Sequence, residues 1–76
     1  MRVNIAKSVV DDSYLYKKVS EYSCENWPYV IMCQRTLDTL LDMVSMYLVE
    51  TEHGYEFAGY TVLVDDNLRY GEVEIR

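Results

Sequence analysis

Asp65-Asp66-Asn67 is the one run in this chain whose oxygen atoms could gather on a cation. A calcium loop needs oxygen ligands at alternating positions and a distal bidentate glutamate, and that pattern is absent here. The same three residues are also turn formers, because their side chains bond their own backbone. They are read as a turn. His53 precedes Gly54 at the expected exit of a helix, where an imidazolium meets the helix's negative end. No serine, cysteine or carboxylate stands at a spacing that would make it a nucleophile's partner. Cys24 and Cys33 with a single histidine fall short of a zinc site. Cys33 lies in an apolar run and reads as a small core residue, whereas Cys24 lies in a polar stretch that could leave it exposed. Neither has the basic neighbours that would make a reactive thiolate. No cofactor is expected, and the chain is not read as an enzyme.

The remaining chemistry is acidic and aromatic. Asp38 and Asp42 stand four apart, and Glu50 and Glu52 continue an acidic strip past the end of the same expected helix. Like charges at that spacing repel, and carboxylates near a helix C-terminus oppose its dipole. The strip therefore works against local stability. It serves either solubility or a partner, which would be basic. Eight tyrosines are the second unusual feature. Tyr47, Tyr29 and Tyr60 are assigned to the core. Tyr14, Tyr16, Tyr55 and Tyr70 exceed what a small core can hold, and tyrosine favours interfaces because its ring is apolar and its tip polar. Trp27, beside Pro28 in a loop, extends that set. Asp38, Asp42, Glu50, Glu52, Tyr16, Tyr55 and Tyr70 are the candidate partner-binding residues.

These side chains must be positioned by one small domain spanning residues 1–76. A chain this short buries roughly 60% of its unfolded surface and gains from a second copy, so a homodimer is an open expectation. Apolar residues make up 50% of the chain and are spread along it, which favours a folded core. The longest apolar run, Tyr29 to Cys33, is far below the ~20 residues that span a bilayer. Without a secretory signal near Met1, the expected location is the cytoplasm. The formal charge is −6. Residues 1–35 carry five basic and four acidic groups, residues 36–76 two basic and nine acidic. Direct nucleic-acid binding and adsorption to anionic membranes are disfavoured by that balance. Imitation of nucleic acid is compatible with it.

Alternation at Arg2–Ala6 predicts a strand. Asp11-Asp12-Ser13 offers N-cap oxygens for a helix from Ser13 to Tyr22, which Ser23–Pro28 ends. Tyr29–Cys33 reads as a central strand covered on both faces. Thr36 is the expected cap of a second helix reaching Val49. Its apolar stripe is Leu37, Leu40, Leu41, Val44, Tyr47 and Leu48, with Asp38, Asp42 and Ser45 on the opposite face. Three β segments follow: Tyr55–Phe57, Tyr60–Val64 and Glu72–Arg76. The last alternates, so Val73 and Ile75 should face inward, and as a terminal strand it could pair with another copy across an exposed edge. The expected fold class is α+β, in the order β-α-β-α-β-β-β, with two helices on one face of a small mixed sheet.

From Tyr29 onward the chain resembles a strand-helix-strand stretch of tailed-phage major capsid proteins. The matching residues are Ile31-Met32, Thr36-Leu37, Leu40, Tyr47-Leu48, Ala58-Gly59-Tyr60-Thr61-Val62-Leu63-Val64, Asp65-Asp66 and Gly71. Thr61 stands where that family usually has proline. The chain also lacks the long extended loop and spine helix with which such subunits build a shell. The resemblance implies a phage or prophage origin and a borrowed fold fragment, not a shell-forming protein. The resulting expectation is a small accessory protein acting by protein–protein contact in a host cytoplasm. An acidic DNA mimic and a structural homo-oligomer are the alternatives.

Overall fold

A computed structural model describes residues 1–6, 10–22 and 29–76. The elements are β1 (Arg2–Asn4), α1 (Asp12–Glu21), β2 (Tyr29–Met32), α2 (Gln34–Asp42), β3 (Leu48–Thr51), β4 (Gly54–Phe57), β5 (Tyr60–Val64) and β6 (Glu72–Ile75). Six strands form one sheet in the order β1-β6-β2-β5-β4-β3. β2 and β5 run parallel and every other neighbouring pair antiparallel. The α+β class stands, with one strand more than the periodicity predicted. Trp27, Cys24 and the break at Ser23–Pro28 lie outside the described residues.

Strand alternation divides the sheet into two faces. Val30, Met32, Val62, Val73 and Ile75 point the same way and form one core with Phe57, with Leu15 and Val19 of α1, and with Leu37 and Leu40 of α2. Both helices therefore cover the same face. Ile31 points to the other face and is nevertheless buried, between Leu63 and Glu74 on the neighbouring strands. β2 is thus covered by helices on one side only; on the open face Tyr29 and Leu63 are exposed, and the two-sided cover that its apolar run implied is not met. Val73 and Ile75 face inward as expected. β6, however, lies between β1 and β2 and has no free edge, so the expected pairing of Glu72–Arg76 across an edge is ruled out. The two outer strands are β1 and β3.

Each helix is started by a carboxylate. Asp11 Oδ1 accepts the Tyr14 amide at 3.0 Å and caps α1. Thr36 does not cap α2, which begins two residues earlier. Its first turn is capped from a distance, by Asp66 Oδ1 accepting the Gln34 amide at 2.9 Å. Asp65 Oδ1 accepts the Asn67 amide at 3.0 Å, so the 65–67 cluster is a turn that also seats a helix. Thr36 is fully buried inside α2. Its hydroxyl accepts the Gly71 amide at 2.9 Å and lies 3.2 Å from the buried Cys33 thiol. Gly71 has φ +82°, and its Cα abuts Ala6 so closely that a Cβ would collide with it. Only glycine fits there.

The largest departure from the sequence reading is the end of α2. Its stripe is core only at Leu37 and Leu40; Leu41 and Val44 are exposed, and Tyr47 and Leu48 are half-buried beyond the helix. Ser45, expected on the solvent face, is buried. The last turn of the helix carries no basic residue and one carboxylate, Asp42, that opposes its dipole. Tyr47-Leu48-Val49 also favour extended backbone, and Leu48 and Val49 pair with Phe57 and Glu56 of β4. His53 accordingly sits in the β3–β4 turn, far along the chain from any helix end.

Candidate functional site

The terminus of α2 closes in a Schellman motif, the paired bonds that satisfy a helix's last carbonyls. The Ser45 amide donates to Leu40 O at 3.2 Å and the Val44 amide to Leu41 O at 3.1 Å. This motif requires a left-handed residue at its turning point, a position where glycine is usual. Here that residue is Val44, at φ +52°. A β-branched side chain in this region is strained by contact between Cβ and the following carbonyl. Val44 gains nothing from burial in return, being 84% exposed.

Ser45 fastens the turn from its centre. Its hydroxyl donates to Asp12 Oδ2 of α1 at 2.8 Å, and its carbonyl accepts the Leu48 amide at 3.2 Å. Tyr47 O accepts the Ala58 amide at 2.8 Å, tying the far side to the β4–β5 hairpin. Val44 and Met46 therefore flank a pinned, buried serine, and both stand outward, Met46 at 81% exposure. Leu41, Met43 and Val49 add exposed apolar surface on the same stretch of chain. Scattered exposed apolar residues are ordinary; here five fall within nine residues on one fastened turn.

The acidic candidates flank this turn along the chain. Asp38 and Asp42 are exposed on α2 just before it, and Glu50 and Glu52 are exposed on β3 and its following turn. Asp38 accepts a bond from Gln34 Nε2 at 2.8 Å. Among the described residues no basic group pairs with any of the four. The sheet's open face differs: there Arg2 lies 3.7 and 3.8 Å from Glu72 and Glu74, and Arg76 is 3.1 Å from Glu74. The hydrogen bond from Arg76 holds the Glu74 carboxyl below the usual glutamate range. Acidic groups therefore lie on both faces of the molecule; among the described residues Glu72 and Glu74 have arginine partners and the four candidates have no ion pair.

The tyrosine candidates separate. Tyr16 stacks on Tyr47 with ring centroids 4.4 Å apart, and Tyr47 tilts against buried Phe57 at 5.7 Å. This column runs from the core to the surface beside the turn, so Tyr16 belongs to the site's edge. Tyr70 is on the other flank of α2, its hydroxyl 3.0 Å from Thr39 Oγ1 and its ring 5.0 Å under the Arg35 guanidinium. Tyr55 is half-buried and packs on the core opposite Glu50. Tyr29, assigned to the core, is exposed. No family model, curated protein or solved structure matches the chain. Among the described residues no helix is long and apolar enough to cross a membrane.

Sequence reasoning found the acids and missed the apolar knob between them. The signal was present in the order Met43-Val44-Ser45-Met46. A helical reading placed Val44 in the core and so hid it.

Proposed function

We propose that this chain is a small, non-catalytic, phage- or prophage-type accessory protein that works by protein–protein contact. The observation that carries the reading is Val44: strained, exposed, and held in place by a turn that Ser45 bonds to α1 and Tyr47 to the β4–β5 hairpin. Strain without packing benefit is the mark of a residue retained for something outside the fold. Asp38, Asp42, Glu50 and Glu52, which have no ion pair among the described residues, favour a basic partner, because charges on an interface rim steer association more than they add affinity. The groups with catalytic potential stand apart, His53 exposed in a hairpin turn and Cys33 buried against Thr36. The scatter of carboxylates over both faces weighs against imitation of nucleic acid. The resemblance of residues 29–76 to a capsid-protein stretch supports the phage origin and a host cytoplasm as the place of action.

The test is a photo-cross-linking amino acid placed at Val44, at Met46 and, as a control, at Ser20 on the exposed side of α1. In lysate of the encoding host, one protein band shared by the first two positions and absent at Ser20 supports the reading. Identical bands at all three positions, or none at any, overturn it.

A further inference from the structure

β3 is the exposed outer strand beside the apolar turn. Its backbone directions follow from bonds at its start. The Tyr47 carbonyl accepts from Ala58 of the adjoining hairpin, whereas the Leu48 amide turns back to Ser45. Backbone groups alternate along a strand, so Val49 and Thr51 face β4 while Leu48 and Glu50 direct theirs away from the sheet. The Glu50 amide and carbonyl thus lie open on an edge with no neighbouring strand among the described residues, in the position where an extended peptide adds a strand. The side chains there are Glu50 on the helix-side face and Val49, 55% exposed, on the open face.

We infer that the β3 edge accepts an extended segment of a basic partner protein as a seventh strand, with lysine or arginine facing Glu50 and an apolar residue facing Val49. The inference rests on the protein-contact reading and specifies its mode. Charge selects the occupant. A second copy of β3 in matched antiparallel register would set Glu50 against Glu50, and the register shifted by two towards the turn would set it against Glu52. Like charges directly opposite destabilise a strand pair, and two chains of charge −6 repel besides. A segment alternating basic and apolar residues meets the opposite situation. Its cations would meet carboxylates that have no ion pair among the described residues, and its apolar residues would extend the surface of Val49, Val44 and Met46.

The experiment titrates the isotope-labelled protein with two synthetic peptides of about eight residues, one alternating lysine and valine and one alternating glutamate and valine. Each is N-methylated along one edge so that it can pair with only a single strand. The lysine peptide should slow exchange of the Glu50 amide roughly tenfold and shift resonances within 46–52, and salt should weaken both effects. The Glu50→Lys variant should prefer the glutamate peptide. Equal response to both peptides, or shifts centred on the Arg2–Glu74 face, overturn the inference. Absence of protection while cross-linking at Val44 still captures one protein overturns the strand mode and leaves the contact reading standing.

Discussion

Replacing Val44 by glycine should stabilise the fold while weakening its contact surface. A left-handed conformation costs an L-residue about 1–2 kcal/mol. Glycine removes that cost but gives the unfolded chain more freedom, which takes back about 0.4–1 kcal/mol. Valine's small buried fraction is worth about 0.3 kcal/mol by area. The net expectation for Val44→Gly is a gain of about 0.5 kcal/mol, or roughly 2–4 °C in melting temperature for a domain of this size. Val44→Asn tolerates the same backbone region without glycine's added freedom and should gain at least as much. Val44→Ala stays strained and should change little. Urea unfolding followed by circular dichroism resolves the series, since half a kilocalorie moves the midpoint by about 0.3–0.5 M. The expected signature is opposed: glycine and asparagine raise the midpoint, and both abolish the cross-link from Met46. If both lower the midpoint, the strain argument fails, and the case for Val44 as a residue held for contact falls with it.

Other perturbations test the frame that presents the turn. Gly71→Ala drives a Cβ into Ala6 at a left-handed φ and should cost about 3 kcal/mol, measured by the same unfolding curve. Thr36→Val leaves the Gly71 amide without its buried acceptor and should cost about 1–3 kcal/mol, whereas Thr36→Ser, which keeps the hydroxyl, should cost less. Asp66→Ala removes the remote cap of α2 and should cost about 0.5–2 kcal/mol, read as earlier amide exchange in the first turn of that helix. The Glu74 carboxyl is held below its ordinary value by Arg76, so its contribution is present above the ordinary glutamate value of 4.5 and is lost as pH falls through the lowered one. Arg76→Ala should therefore flatten the acid limb of stability only below that value, by an amount kept small because solvent screens a pair at the surface.

Local chemistry carried much of this architecture. Where burial follows strand alternation, as at Val73 and Ile75, or where an acidic side chain precedes a helical stripe, as at Asp11, the sequence determines the outcome by itself. The apolar run of β2 marked a central strand, with Val30, Ile31 and Met32 buried, and the acids of α2 and β3 were visible as charges. Tertiary structure decided what short-range patterns leave degenerate. Leu37 to Leu48 satisfies a helical period, yet only the pairing of β3 with β4 shows where extended backbone takes over, because a strand's stability depends on a partner remote in sequence. Likewise Asp66 caps α2 from thirty-two positions away, and Thr36 bonds Gly71 across the core. No local rule connects such residues. Val44 and Met46 owe their exposure to the same cause: the helix that would have buried them ends two residues before Val44, and Ser45 turns inward in their place.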